Sequence, residues 1–295
     1  MRGLRIGLVG AASLLVLFAP ACRARAPQPV TTQRASEPPV DPHAFDHSTS
    51  IDNQWLPLQP GTQFVYQGSV HEDHRRLSHR VVFTVTDLTK MINGVRTRVI
   101  WDRDYTEGDL VEGELAFFAQ DNGGTVWALG EYPEEYEEGK FAGAPDTWIA
   151  GLADARAGVA MQGQPQVGTP SYLQGYAPDI DFADRARVYQ TGLSDCIPVN
   201  CYQNVLVTDE WNPSEPGPHQ RKYYAPGVGN IRVGAVGGGE HEGLVLINIV
   251  HLSPEGLAEV RDEALKLEER AYLASADLYG HTSPAEHPIL AGQSP

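Results

Sequence analysis

Short runs of β-branched and aromatic residues, each followed by turn residues, recur along most of this chain. The first group comprises "TQFVYQG", "HRVVFTVTDL", "VRTRVIWDRDY", "DLVEGELAFFAQ" and "TVWALGE". Asn93-Gly94, Glu107-Gly108-Asp109 and Asp121 to Gly124 separate these runs. Such residues favour tight hairpins, so the pattern predicts an antiparallel meander.

A second group of strand-like runs follows nearer the C-terminus: "DRARVYQTG", "YQNVLVTDEW", "HQRKYYAPG", "GNIRVGAV" and "LVLINIVHL". Together the two groups predict a mainly β fold, a curved antiparallel sheet or open β-barrel of about ten strands over residues 51–252. Residues 131–182 lie between the groups and are rich in Gly, Pro and acids. This span is too long for a simple connection, so we expect it to pack across the sheet or to form a functional lid.

The Asn93-Gly94 hairpin poses a register problem. A two-residue turn there would place Asp87 opposite Ile100, although the two lie on opposite sides of the apolar pattern. Because a one-residue slip moves every side chain to the other face, we expect a bulge or a longer loop in this hairpin.

Residues 253–280 carry the pattern of an amphipathic α-helix. Ser253 and Pro254 suit the N-cap and the first turn. The apolar stripe comprises Leu257, Val260, Ala264, Leu267, Ala271, Ala274 and Leu278, and the charged face comprises Arg261, Glu263, Glu268, Glu269 and Arg270. The stripe predicts packing on an apolar face or edge of the sheet, and residues 281–295 form a tail.

Residues 1–21 are typical of a lipoprotein signal peptide. A basic head with Arg2 and Arg5 precedes an apolar run, residues 7–18, that is too short to span a bilayer. Small residues lead up to Cys22, which predicts cleavage before a lipidated cysteine that anchors the chain through acyl groups such as palmitate. Ordinary cleavage at an A-x-A-like site remains the alternative.

Residues 22–50 are proline-rich and lack periodicity, which predicts a flexible tether between the membrane and the folded domain. Removing residues 1–21 changes the formal net charge from −16 to −18. This charge argues against nucleic acid as a partner, and it favours membrane attachment through the lipid rather than through a basic face. The predicted location is the bacterial cell envelope, facing the periplasm or the exterior.

The three cysteines divide into Cys22 and a close pair, Cys196 and Cys201. In an exported chain, the spacing of the pair predicts a structural disulfide that closes the connection between two strands. A redox C-x-x-C motif would need two intervening residues, and a zinc site would need more ligands nearby.

Two clusters raise the question of metal binding. Asp179, Asp181 and Asp184 could offer oxygen ligands to calcium, but the glycine and distal glutamate of an EF-hand loop are absent, and a plain acidic loop is the alternative. His71, His74 and His79 could capture an adventitious metal, although we expect a solvated loop there. The sequence predicts no other cofactor.

The segment "EYPEEYEEGK", residues 131–140, concentrates glutamates next to two tyrosines. We expect a solvated loop. The more specific alternative is a surface that docks a basic partner. The sequence lacks a G-x-S-x-G nucleophile elbow, and it leaves open whether the protein is an enzyme.

The domain opening "IDNQWLPLQPGTQFVYQG" resembles that of a family of uncharacterised bacterial secreted proteins and lipoproteins. The resemblance continues through "GDLVEGELAFFAQDNGGTVWALGE", "YYAPGVGNI" and "LSPEGLAEVRDEALKLEERAY". It implies an extracytoplasmic β-rich fold. It implies no activity and no functional residues, because the family has none assigned.

The leading functional hypothesis is a non-catalytic binding module of the envelope, with an apolar small molecule or an envelope protein as its partner. The candidate ligand-lining residues are Phe83, Trp101, Phe117, Trp127 and Tyr223, for which ordinary core packing is the alternative. A second hypothesis is a secreted hydrolase that acts through paired carboxylates among Asp146, Asp154, Asp179 and Asp181. A third is a scaffold that docks through the acidic residues Glu134, Glu135 and Glu137.

Overall fold

The computed structural model describes residues 40–72, 75–214, 219–237 and 242–287. Fifteen strands of this part of the chain form one sheet. They are β1 Thr62–Glu72, β2 Arg75–Ile92, β3 Val95–Thr106, β4 Asp109–Gln120, β5 Val126–Glu137, β6 Lys140–Gly143, β7 Trp148–Ile149, β8 Arg156–Met161, β9 Tyr172–Leu173, β10 Gly175–Tyr176, β11 Arg185–Cys196, β12 Cys201–Trp211, β13 His219–Ala225, β14 Gly229–Val236 and β15 Glu242–His251.

The sheet curls into a nearly closed antiparallel barrel. Its hydrogen-bonded order runs β10-β8-β5-β4-β3-β2-β1-β15-β14-β13-β12-β11-β9, with β6 and β7 also paired to β5. The two edge strands, β9 and β10, are separated in sequence by Gln174 alone, so one short segment joins both edges. The predicted fold class is confirmed, with more strands than the ten expected. The additional strands come from residues 131–182, which extend the sheet beyond β5 and beyond β11 by edge pairing.

The β2–β3 hairpin confirms both the predicted turn and the predicted bulge. Asn93 and Gly94 have φ values of 47° and 79°, which suit a type I′ turn. Val85 pairs with Ile100 and Thr89 with Arg98, so the register shifts between them. Within the bulge, the Thr86 hydroxyl donates to the Val99 carbonyl at 2.7 Å. The shift keeps Asp87 off the face that carries Ile100.

The C-terminal helix is confirmed over most of its predicted length. Helix α1 spans Pro254–Ala274, and the Ser253 hydroxyl caps it by accepting from the Gly256 amide at 3.2 Å. A break at Ser275 separates α1 from the short helix α2, Ala276–Tyr279. The buried face comprises Val260, Ala264, Leu267, Glu268 and Ala271. It packs against β2 and β4, so the barrel wall is covered on its outer side there.

The expectation that Glu268 faces solvent is wrong. Glu268 accepts from Lys90 Nζ at 2.6 Å, and Lys90 also donates to the Ser283 carbonyl at 2.7 Å. The rings of Tyr272 and Tyr279 lie 5.3 and 4.7 Å from the ammonium. A buried charge needs this kind of close partner, and the cluster fastens both helices and the following segment to β2.

The acidic segment 131–140 is solvent-exposed only in its last part, residues 137–140. Its first seven residues complete β5, and Glu134 is fully buried beneath α1. Arg270 of α1 donates to both Glu134 carboxylate oxygens, at 2.8 and 2.7 Å. Glu134 is therefore unavailable to an external partner.

Part of the predicted tether packs on the domain. The backbone N–H of Asn122 donates to the Ala44 carbonyl at 2.7 Å. The buried Ser48 hydroxyl donates to the Arg96 carbonyl at 2.6 Å. The predicted signal peptide, Cys22 and tether residues 22–39 lie outside the described residues, as do tail residues 288–295.

Cys196 and Cys201 form the predicted disulfide, which closes the turn between β11 and β12. Inside the loop, the Ile197 amide donates to the Asn200 carbonyl at 2.9 Å. Among the residues that the structure describes, no helix is long and apolar enough to cross a membrane.

Candidate functional site

A groove of about 550 Å³ lies between the loop after β7, the 3-10 turn Pro178–Ile180 and helix α2. Its lining is mainly apolar, with Asp179, Asp277 and His281 as the ionisable members. The full lining comprises Pro145, Thr147, Trp148, Ile149, Leu152, Ala153, Ala155, Ala177, Asp179, Ile180, Asp277, Leu278 and His281. The volume and the apolar lining are those of small-molecule sites.

A tight turn between β7 and β8 shapes one wall of the groove. The Gly151 amide donates to the Ala155 carbonyl at 2.9 Å, and Ala153 and Asp154 adopt positive φ values of 47° and 59°. A Cβ on Gly151 would lie 2.8 Å from the Asn93 side chain. The turn therefore needs glycine at this position, and it presents Leu152 and Ala153 to the groove.

Trp148 links the groove to the interior of the barrel. Its ring lines the groove, although only 2% of the residue is exposed. The ring packs on Phe182 with centroids 5.3 Å apart, and its Nε1 donates to Glu131 Oε2 at 2.9 Å. A shift of Trp148 at the groove floor would therefore alter its hydrogen bond to Glu131.

The barrel interior, which we call the lumen, contains buried carboxylates. Gly113 faces α1, because a Cβ there would lie 3.7 Å from the Leu267 side chain. Its neighbours Glu112 and Glu114 therefore point into the lumen. Asp104 pairs with Glu112 and Asp102 with Glu114 on the adjacent strand. Cross-strand partners share a face, so these four acids project to the same side.

Burial changes the acidity of the lumen carboxylates. It raises the pKa of Glu131 to about 7, although the Trp148 hydrogen bond acts in the opposite direction. Burial also raises the pKa of Glu114 well above its ordinary value, and the charges of Glu131, Glu112 and Asp102 add to this effect. The result is a perturbed carboxylate pair that the sequence did not indicate.

His79 lies between two of these acids in the lumen. Its Nε2 contacts Asp104, and its Nδ1 lies 3.1 Å from Glu242 Oε1. Burial alone would lower the pKa of His79, but the hydrogen bonds with Asp104 and Glu242 outweigh burial and raise it to about 10. The expectation of a solvated loop is wrong for His79. His71 lies in β1, and His74 lies outside the described residues.

A small cavity of about 30 Å³, lined in part by Phe118 and Lys222, lies in the lumen. The domain-opening loop and the "APGVGN" turn meet there, with the Gly227 amide donating to the Gln54 carbonyl at 2.7 Å. Asn53 accepts from the Trp55 and Leu56 amides at 2.8 and 3.0 Å and so shapes the opening loop. The cavity has room for about one or two waters and not for an apolar ligand.

The structure does not bring the five predicted lining residues together. Phe83 lines the small cavity, and two residues adjacent to predicted ones, Phe118 and Tyr224, line it as well. Phe117 instead packs near Tyr279 with centroids 6.5 Å apart. Both faces of β4 are buried here, so alternation alone could not assign which phenylalanine points inward.

The remaining predicted lining residues lie elsewhere. Arg103 stacks 4.0 Å above the Trp101 ring, and Trp127 donates from Nε1 to Asp121 Oδ2 at 2.8 Å. Tyr223 pairs with Arg232 of β14. A role for these residues in ligand contact stays a prediction.

The three aspartates predicted as calcium ligands lie around the turn after β10. Asp179 is in the 3-10 turn and lines the groove, and Asp181 follows it with a φ of 56°. Asp184 is close enough to Glu131 to affect its pKa. Within the described ranges, no three His, Cys, Asp or Glu side chains are grouped to hold a metal. Calcium binding here stays a prediction.

No protein-family model matches the chain, and no curated protein matches it. One similar solved structure is a proposed exported protein with a YmcC-like fold from Bacteroides fragilis, with 13% identity and a TM-score of 0.36 over 67% of this chain and 99% of that one. Another is a proposed lipoprotein from Parabacteroides distasonis, with 11% identity and a TM-score of 0.36 over 68% of this chain and 100% of that one. No activity follows from these similarities.

Proposed function

We propose that this protein is a lipid-anchored binding protein of the bacterial cell envelope that holds an apolar small molecule in the groove beside Trp148. The groove itself carries the proposal, because its volume of about 550 Å³ suits a small molecule. The proposed location in the cell envelope rests on the basic head, the apolar run and Cys22 of the sequence.

The apolar lining supplies the binding energy in this proposal. Ile149 and Ala155 are buried, while Leu152, Ile180 and Leu278 are half-buried and still have surface to cover. Covering such surface is worth about 25 cal/mol for each Å². The small cavity in the lumen encloses only about 30 Å³.

The two alternative functions have weaker support. A hydrolase needs a perturbed carboxylate pair that a substrate can reach, and Glu114 and Glu131 line neither the groove nor the small cavity. Docking through Glu134, Glu135 and Glu137 together would need Glu134 at the surface, and Glu134 is buried against Arg270. A binding role needs neither feature.

Binding of a neutral apolar dye, N-phenyl-1-naphthylamine, would test the groove. We expect its fluorescence to rise with the wild-type chain, and the affinity to fall at least about tenfold in Leu152→Asp and Leu278→Asp, because a charge in the groove must be desolvated. Leu273→Asp is the matched control, since Leu273 of α1 is 84% exposed and lies outside the groove lining.

Thermal unfolding of all variants would separate lost binding from lost folding. Wild-type affinity in folded Leu152→Asp and Leu278→Asp would refute the groove as the site. Native mass spectrometry of the mature chain from an envelope fraction would then show whether any ligand is held elsewhere.

A further inference from the structure

Part of the barrel wall carries several arginines on its outer face. In three places a buried inward residue is adjacent to an arginine: His79 beside Arg80, Lys222 beside Arg221, and Val233 beside Arg232. Successive residues of a strand point to opposite faces, so these arginines lie on the outer face. The carboxylates Glu112 and Glu114 point into the lumen. The chain has a net charge of −16, yet it groups arginines on this part of its outer surface.

The register of the strands places these arginines in rows. Arg80 of β2 pairs with Gln67 of β1, and Gln67 pairs with Val245 of β15. Val245 pairs with Arg232 of β14, which pairs with Tyr223 of β13. One row of outward side chains thus crosses five adjacent strands. We call the outer side of β1, of β11–β15 and of the part of β2 that precedes Asp87 the arginine face.

The middle of the arginine face is flat. Gly234 and Gly243 pair with each other across β14 and β15. A Cβ on either glycine would meet no atom within 4 Å, so open space lies above both. An extended surface can approach the backbone closely at this point, with arginines on both sides.

Aromatic rings accompany the arginines. The Arg221 guanidinium lies 3.7 Å from the centroid of the Tyr189 ring, and that of Arg187 lies 5.6 Å from the Trp211 ring. Tyr189 is 41% exposed. Guanidinium groups bind phosphates through paired hydrogen bonds, and Tyr and Trp favour the membrane–water interface.

Acidic residues on this face are shared among the arginines. Asp209 contacts both Arg187 at 2.7 Å and Arg221 at 3.5 Å. Asp195 contacts Arg232 at 2.8 Å. Arg76 and Arg80 of β2 are exposed, and Arg76 donates to the Ser69 hydroxyl at 3.0 Å. The Ser78 amide of β2 donates to the Glu107 carboxylate. Among these described residues, the five arginines Arg76, Arg80, Arg187, Arg221 and Arg232 outnumber the three acids Glu107, Asp195 and Asp209.

We propose that the arginine face docks on the anionic surface of a lipid bilayer. The charge, the flatness and the interleaved aromatic residues fit phosphate headgroups. The predicted acyl anchor at Cys22 lies 18 residues before Val40, where the described chain begins. An extended segment of that length reaches at most roughly 60 Å. The face therefore stays within reach of the membrane and adds a second contact to the lipid.

Vesicle co-sedimentation with the mature chain, residues 22–295, carrying Cys22→Ser tests docking without the signal peptide and without the acyl anchor. We expect binding to vesicles that mix phosphatidylglycerol with phosphatidylcholine, weak binding to phosphatidylcholine alone, and loss of binding at high salt. The double variant Arg76→Gln/Arg80→Gln should bind the anionic vesicles about tenfold more weakly.

The matched control is Lys140→Gln/Lys266→Gln, which removes the same charge from exposed positions on β6 and α1. It should bind like the parent chain. The proposal is wrong if the parent chain does not bind anionic vesicles, or if both double variants, folded by circular dichroism, bind them equally. Net charge alone would explain the latter result.

Discussion

Lys90 of β2 and Glu268 of α1 form a buried ion pair, with Nζ and Oε1 2.6 Å apart. Removing one partner leaves the other charge buried and uncompensated. We expect Glu268→Ala to lower the free energy of unfolding by about 3–5 kcal/mol. Urea denaturation measures the change.

Glu263→Ala on the same helix is the control for that prediction, because its pair with Lys266 is exposed. Exposed pairs contribute about 0–1 kcal/mol. Similar losses in Glu263→Ala and Glu268→Ala would contradict the special role of the buried pair.

Glu131 should make the protein less stable as the pH rises toward neutrality. Its pKa is about 7 in the folded chain against an ordinary value of 4.5. The unfolded chain therefore loses its proton first, and the free energy of unfolding falls between these two pH values. The fall should reach about 3 kcal/mol, which Glu131→Gln abolishes. Urea denaturation across this pH range measures it, with the exposed Glu259→Gln as the control. Parallel wild-type and Glu131→Gln curves would rule the effect out.

His79 should make the free energy of unfolding depend on pH in a higher range than Glu131 does. Its pKa rises from 6.5 to about 10 because Asp104 and Glu242 hold the imidazolium. The stabilisation is complete below the unfolded pKa and is lost as the pH rises through the folded one. We expect wild type, but not His79→Gln, to lose about 4–5 kcal/mol between pH 6.5 and 10. The exposed His251→Gln should behave like wild type. A proton NMR titration of the imidazole with a midpoint near 6.5 would contradict this prediction.

The disulfide should make a modest contribution to stability. Cys196 and Cys201 are separated by five positions, so the bond closes a short loop. Chain entropy for such a loop gives about 2 kcal/mol. We expect Cys196→Ser/Cys201→Ser to lower Tm by a few degrees. A reductant should lower the Tm of wild type similarly and leave the variant unchanged. A reductant effect on the variant would point to another cause.

Several predictions were correct to the residue because they depend on local chemistry. Asn93-Gly94 tolerates positive φ, which is what a two-residue hairpin demands, so the turn was visible in the sequence. Ser253 and Pro254 suit the start of a helix for similarly local reasons. The close spacing of Cys196 and Cys201 likewise allowed only a short loop.

The short strands of residues 131–182 and the groove could not be predicted, because they depend on contacts between residues that are distant in the sequence. Residues 131–182 form short strands because existing edges of the sheet supply their hydrogen-bond partners, and their own sequence has little periodicity. The groove combines the β7–β8 turn with α2, more than a hundred residues later in the chain. Asp179 and Leu278, which line the groove, were named from the sequence for other roles.

By itself, the sequence determined the β class, the hairpin turns, the bulge, the C-terminal helix and the disulfide, because each depends on neighbouring residues and on periodicity. Only the tertiary structure decided that Glu134, Glu268 and His79 are buried. A charged residue enters the interior only when a distant partner such as Arg270, Lys90 or Asp104 compensates its desolvation, and the sequence does not show which distant residues meet.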